Sequence, residues 1–134
     1  MNLTYKDTHD FTKEELEDLF LSVEWSSGKY PEKLVISMKN FKTVYSAYDN
    51  DKLVGLICVM DDGIMNAYIH YLLVNPKYQK YGIGKDLVEK VKVKYKDYLR
   101  IAVIGYGRAL GFYEKCGFTK SNESYPMFIT SLWT

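Results

Sequence analysis

Gln79, Gly82 and Gly84, with Lys80 and Lys85 beside them, form the densest set of residues able to do chemistry in this chain. They belong to the run Val74-Asn75-Pro76-Lys77-Tyr78-Gln79-Lys80-Tyr81-Gly82-Ile83-Gly84-Lys85. The residues before it, Ile69 to Val74, are β-branched and aromatic, and Pro76 cannot continue a sheet ladder, so a strand is expected to end near Asn75. After it, Gly84, Leu87, Val88, Val91 and Tyr95 recur at helical spacing, with Lys85, Glu89, Lys92 and Lys96 on the other side. The first helical turn therefore falls near Gly82 to Lys85. A helix start leaves amides without partners and its dipole attracts anions, which makes it a seat for phosphate. Gly82 and Gly84 lack Cβ atoms, so a pyrophosphate can approach the backbone and the loop can use φ values closed to other residues. Spacing alone leaves a second reading open, in which two glycines and a proline only make a tight strand-to-helix connection.

Two known phosphate motifs do not fit. Gly84-Lys85 is followed by Asp86 rather than Ser or Thr, so no hydroxyl is placed for magnesium as a P-loop requires. A dinucleotide fingerprint needs three glycines near the start of a βαβ unit, and here there are two, past the middle of the chain. The stretch instead resembles motif A of the GNAT superfamily of acyl-CoA-dependent N-acyltransferases, in which Gln or Arg is followed after two residues by Gly and, one further on, by Gly or Ala. Gln79, Gly82 and Gly84 match it. Leu72-Leu73-Val74-Asn75-Pro76 resembles that family's fourth strand, and Phe112-Tyr113-Glu114-Lys115-Cys116-Gly117-Phe118 resembles its motif B.

The resemblance implies acetyl-CoA as cofactor and no metal. Its pyrophosphate would lie on the backbone of Gln79, Lys80, Tyr81, Gly82, Ile83, Gly84 and Lys85, and its pantetheine arm along Leu72, Leu73 and Val74. The amide near Leu72 would hold the oxyanion formed when an amine attacks the thioester. Tyr113 matches the family's general acid, and from spacing alone it reads equally as part of a core helix face with Ala109, Phe112 and Cys116. Strand alternation puts Tyr68, His70, Leu72 and Val74 on one face. Family members often place a base two or four residues before the Leu72 position; His70 and Tyr68 occupy those places, His70 as the candidate base and Tyr68 as a substrate-binding residue. Glu24 is a second candidate base, and Trp25 and Tyr30 are expected beside the acceptor. Motif B often begins with Asn where this chain has Tyr106. The activity implied is acetyl transfer to a primary amine of a small molecule by direct attack in a ternary complex. The alternative is a non-catalytic acyl-CoA-binding sensor or partner domain.

The elements that must position these residues can be read in order. Leu3 to Lys6 reads as a strand. Thr12 with Glu15 makes a capping box for a helix whose apolar face is Leu16, Leu19, Phe20 and Val23. Pro31 opens a second helix with Leu34, Met38 and Phe41 on one side. Thr43 to Tyr48 and Lys52 to Met60 read as a hairpin turning at Asp49-Asn50-Asp51. Asp61-Asp62-Gly63 precedes the strand carrying His70. Tyr98 to Ile104 reads as a strand, Gly105-Tyr106-Gly107 leads into a helix capped at Gly117, and Phe118 and Met127 to Leu132 supply two last strands. This order is mixed α/β, and it is the order of the GNAT fold: a mostly antiparallel twisted sheet of about seven strands with four helices, splayed between its fourth and fifth strands.

The 134 residues suit one domain, 1–134, with one core. A net charge of +1 gives no global field for nucleic acid or an acidic membrane. Cys58 and Cys116 fit buried reduced thiols. No apolar signal region or membrane-spanning run is present, so a cytoplasmic location is expected. The apolar C-terminal run ending at Trp133 offers an edge for a homodimer.

Overall fold

The layering follows from the central strand, β3 (Lys52–Asp61), whose interior residues are buried on both faces. Val54, Ile57 and Val59 enter one apolar cluster, and Leu53, Leu56 and Cys58 enter another. A strand apolar on both sides must be covered on both sides. The computed structural model describes residues 1–134 and supplies that cover. The helices α1 (Lys13–Ser22) and α2 (Pro31–Asn40) lie on one face, giving Leu16, Leu19, Phe20, Leu34 and Met38 to the core. On the other face lies α3 (Ile83–Lys94), with Ile83, Leu87, Val88 and Val91 inward. The sheet has five strands in chain order. β1 (Leu3–Lys6), β2 (Thr43–Asp49), β3 and β4 (Asn66–Val74) pair antiparallel, and β5 (Arg100–Val103) joins β4 in parallel before α4 (Leu110–Lys115).

Local signals act as their chemistry dictates. Thr12 Oγ1 accepts from the Glu15 amide at 3.2 Å while Glu15 Oε1 accepts from the Thr12 amide at 3.1 Å, closing the capping box at α1. Pro31 opens α2 where its missing amide proton costs nothing. Gly117, at φ 100°, ends α4, and the Phe118 amide turns back to Tyr113 O at 3.0 Å.

Three expectations need correction. The sheet has five strands, because Phe118 and Met127 to Leu132 form none. Ser and Thr side chains compete locally for their backbone: Ser121 Oγ accepts from the Ser124 amide at 3.2 Å, and Thr130 Oγ1 from the Leu132 amide at 2.7 Å. The end of this segment then crosses to the α1 side, where Thr134 O accepts from the Ser27 amide at 2.8 Å. Second, β5 is shorter than Tyr98 to Ile104, and the residues leading into α4 form a 3-10 turn at Gly107–Ala109. Two further 3-10 helices, Ser26–Lys29 and Pro76–Tyr81, join the four α-helices, so the helices exceed the four expected. Third, Tyr68, His70, Leu72 and Val74 do not share a face. Cys58 pairs with Tyr71 but Val59 with Ile69, so His70 is the extra residue of a β-bulge. Tyr68 and Tyr71 thus turn toward the α1 and α2 layer, and Leu72 and Val74 toward α3.

Leu19 is fully buried beneath α1. Leu19→Ala is expected to lower the unfolding free energy by about 2–5 kcal/mol in a denaturant titration. The exposed Leu21→Ala on the same helix should change it by less than about 0.5 kcal/mol.

Candidate functional site

The site begins where β4 outruns β5. The last pairing between them is Ile69 with Val103, whereas β4 continues to Val74. The Asn75 amide donates to Val54 O at 2.8 Å. Counting back by the antiparallel alternation, Leu73 and Tyr71 direct their backbone groups to β3, and Leu72 and Val74 direct theirs away from it. They face an edge with no strand on it. Of the three residues expected to line the cofactor arm, Leu72 and Val74 therefore present backbone to the opening, and Leu73 does not. Gln79 Nε2 donates to Val74 O at 3.1 Å, so this glutamine ties the following loop to the strand end.

The loop delivers an uncapped helix. Asn75 Oδ1 accepts from the Lys77 amide at 3.0 Å and starts the 3-10 turn, which Gly82 ends at φ 73°. This is the left-handed conformation that favours glycine. No side chain caps α3. Asp86 is the first residue of α3 to bond within it, to Gly82 O at 3.0 Å. The amides of Ile83, Gly84 and Lys85 thus lead the helix without intrahelical acceptors. Ile83 itself is fully buried and contributes only backbone.

Gly84 also has a packing reason that spacing does not show. A Cβ there would lie 3.3 Å from Phe112 Cζ and 3.9 Å from Val74 Cγ2, so its small size seats the helix against α4 and β4. Lys80, Tyr81 and Lys85 are exposed around this turn. The two ion pairs of the structure, Lys13 with Glu32 and Lys92 with Glu89, involve neither lysine. Asp86, the acid of that turn, accepts a hydrogen bond from the Tyr5 hydroxyl at 2.5 Å.

On the α1 and α2 side of the opening the bulge gathers aromatic rings. His70 lies 4.4 Å from Tyr71, 5.6 Å from Tyr68 and 5.9 Å from Phe41, on which it stacks, measured between ring centroids. Trp25 joins through Tyr71 at 6.1 Å. The His70 residue keeps considerable exposure, yet these rings remove enough water to lower its pKa from 6.5. It is neutral at pH 7 and able to accept a proton. Glu24 and Tyr30 do not join this group. Glu24 is an exposed residue at φ 60° that turns the chain out of α1, and Tyr30 is exposed with Lys33 Nζ 5.6 Å from its ring.

Tyr113, on α4, packs its ring against Gly105 just past the end of β5 and feels the charge of Tyr68 on β4. Its ring packs edge-on against Phe118 with centroids 5.7 Å apart. Burial, with smaller contributions from Cys116 and Tyr68, pushes its pKa up to about 12, so the phenol keeps its proton at neutral pH. Its hydroxyl makes no hydrogen bond within the protein. The two thiols are poor nucleophiles by the same physics. Cys58 is wholly buried beside Met38, Cys116 nearly so, and burial raises both pKa values.

Several participants escaped the sequence reading. Tyr71 is the hub of the aromatic group and is held by a 3.1 Å hydrogen bond to Ser27 Oγ. Phe41 read only as an apolar residue of α2. Ser26 and Ser27 bind the C-terminal residue: Thr134 O accepts from the Ser26 hydroxyl at 2.9 Å and the Ser27 hydroxyl at 2.7 Å. The preceding Trp133 O accepts from Tyr106 at 2.8 Å. Residues 133–134 therefore bridge the α1–α2 connection and the end of β5. These contacts join residues up to 108 positions apart, and no local signal encodes them.

The open strand edge of β4 thus runs into an uncapped helix start, and solved structures that share this architecture include acetyltransferases. The family profile described as Acetyltransferase (GNAT) domain matches residues 40–120. A GNAT family acetyltransferase from Streptococcus pneumoniae superposes with a TM-score of 0.81 at 25% identity, covering 96% of this chain and 98% of that one. A probable acetyltransferase from meticillin-resistant Staphylococcus aureus gives 0.80 at 25% identity, covering 95% and 99%. Among curated relatives, the uncharacterized N-acetyltransferase ycf52 of Pyropia yezoensis is 31% identical over 115 residues, 81% of this chain and 66% of its own length. The chloroplastic GCN5-related N-acetyltransferase 2 of Arabidopsis thaliana is 35% identical over 74 residues, 54% of this chain and 29% of its own length. The chain thus spans less than two thirds of the length of these two curated relatives. It belongs to the GNAT acetyltransferase family.

Proposed function

We propose that residues 1–134 act as one N-acetyltransferase domain that moves an acetyl group from acetyl-CoA to a primary amine of a small molecule. The observation that carries this reading is the open edge of β4 running straight into the uncapped first turn of α3. The leading amides of that turn, with Lys80 and Lys85, are suited to the pyrophosphate. The outward amide and carbonyl of Leu72 and the outward amide of Val74, whose carbonyl is held by Gln79, are suited to the amides of the pantetheine arm. When bound, acetyl-CoA supplies a thioester carbon that an amine can attack.

The chain's own residues then handle oxygen and protons. The Leu72 amide, turned to the open edge, is the donor for the carbonyl oxygen. His70, neutral at pH 7, takes a proton from the incoming ammonium; as the intermediate collapses Tyr113, protonated throughout the useful range, gives one to the departing sulfur, and the second proton shed by the attacking nitrogen restores the phenol. Tyr68, Phe41, Tyr71 and Trp25 wall the acceptor side. Both cysteines are buried with raised pKa values, which favours direct transfer in a ternary complex over an acyl-enzyme. Free thiols also fit the reducing cytoplasm.

Acetyl-CoA and CoA are expected to raise the thermal midpoint by mass action while ATP does not, and free thiol should appear when an accepted amine is added. Absence of a shift with all three ligands overturns the CoA site. A shift without thiol release across an amine panel favours the sensor reading.

The pH profile tests the proton roles. The rate should rise through an inflection below 6.5 as His70 loses its proton, and show no alkaline limb from Tyr113 below about 12. In His70→Ala that inflection should vanish, leaving the rate to follow the ionisation of the amine near ~10. An unchanged inflection removes His70 from the role.

We further propose a homodimer through the C-terminal region. Met127, Phe128, Ile129 and Trp133 are exposed apolar side chains, and β5 is an edge strand. Light scattering should give twice the chain mass, and a monomer at high concentration would sink the idea.

A further inference from the structure

Gly105 lies just past β5, between that strand and the 3-10 turn leading to α4. A Cβ on it would lie 2.9 Å from Tyr113 Cδ2 and 3.1 Å from Cε2. The tyrosine ring thus rests directly on the glycine backbone, at a separation that no side-chain carbon tolerates. Phe118 packs against the ring elsewhere. Backbone conformation does not explain this glycine, since its φ lies outside the left-handed region, unlike those of Gly63, Gly82 and Gly117. Space does. Two residues on, Gly107 also has an ordinary φ, and a Cβ there would meet nothing within 4 Å. Both glycines lie on the connection from β5 to α4, Gly107 as the first residue of the 3-10 turn, and of the two Gly105 is the one that touches Tyr113.

We propose that Gly105 is a positioning residue for acetyl transfer, its missing side chain setting where the Tyr113 hydroxyl sits in the opening between β4 and β5. This rests on Tyr113 being the proton donor. A phenol with no hydrogen bond inside the protein has no polar contact to fix its direction, so packing alone must do so. One side of the ring is set by Phe118 and another by the Gly105 backbone. A methyl group at 105 pushes the ring off that surface, and the hydroxyl, at the far end of the ring, moves with it. The three nearest atoms that a Cβ at 105 would meet all belong to Tyr113 and none to α3, so acetyl-CoA affinity is expected to be unchanged.

A double-mutant cycle separates this from a general loss of stability. Gly105→Ala should lower kcat on the order of 10-fold to 100-fold with the KM for acetyl-CoA unchanged, because a small misplacement of a reacting group is enough. Gly107→Ala, the control for backbone freedom in the same connection, should leave kcat unchanged. Tyr113→Phe should lower kcat by a similar or larger factor, and adding Gly105→Ala to it should lower kcat no further, since no hydroxyl remains to misplace. Any shift in thermal midpoint caused by the added methyl should persist in both backgrounds, because the ring remains. If Tyr113→Phe has full activity, the proton-donor reading fails. If Tyr113→Phe is impaired while Gly105→Ala keeps full activity, or the two losses multiply in the double variant, that reading stands and the positioning role of Gly105 is overturned.

Discussion

The structure depends on a difference in length between two neighbouring strands. β4 needs its full run to Val74 because Leu73 and Val74 fill the two apolar layers on either side of the sheet. β5 stops at Val103, opposite Ile69. Leu72 and Val74 are thereby left with backbone groups aimed outward and nothing beside them. Unpaired backbone of this kind is ordinarily a liability in a sheet. Here the chain itself satisfies one such group, Val74 O, through Gln79. The remaining edge leads to the next unpaired groups, the first amides of α3. The two sets of free donors are continuous because Gly82 reverses the chain between them and Ile83, seated against Gly55, pins the helix start to the sheet.

The bulge at His70 is the second constraint, and it assigns the two sides of the opening to different tasks. Without the extra residue, regular alternation would place His70 and Leu72 on the same face. With it, the aromatic group of Tyr68, His70, Tyr71 and Phe41 faces the α1 and α2 layer while Leu72 and Val74 face α3. A ligand lying on the α3 side and a second one arriving from the aromatic side would meet at the strand between them. The segment 133–134 crosses that aromatic side, hydrogen-bonded to Tyr106 on one flank and to Ser26 and Ser27 on the other.

What the sequence made legible was what local rules encode. Thr12 with Glu15, Pro31, Asn75 with Pro76, and Gly117 mark element ends through side-chain caps or restricted φ, and each end lies where those residues put it. The motif around Gly82 was readable because a left-handed residue between strand and helix has few alternatives to glycine. The bulge was not readable, since an extra residue in β4 is defined only against its partner in β3. Nor was the failure of the last two strands. Met127 to Leu132 has strand composition, but whether it pairs depends on the short edge of β5 and on where Thr134 is held. The packing role of Gly84 was not readable, because Phe112, which it accommodates, comes from a distant helix.

The role proposed for Tyr113 as proton donor, in a chain with thirteen tyrosines, rests on how environment distinguishes equals. Tyr5, Tyr78 and Tyr95 have raised pKa values, but their hydroxyls are committed to Asp86, Asp49 and Asp61. Tyr71 is tied to Ser27 and Tyr106 to Trp133. A phenol already donating to a neighbour cannot give its proton to a leaving group without losing that bond. Tyr68 and Tyr113 remain near the opening, and each hydroxyl lacks a protein partner. They differ in what holds the ring. Tyr68 sits on β4 at the mouth of the aromatic group, beside His70. Tyr113 comes from the β5 side, set by Phe118 and the bare backbone of Gly105, and burial is the largest cause of its raised pKa. In the proposed reaction, the proton donor to a thiolate leaving along β4 needs both a free hydroxyl and a fixed direction. Tyr113 has the first from its lack of partners and the second from packing alone.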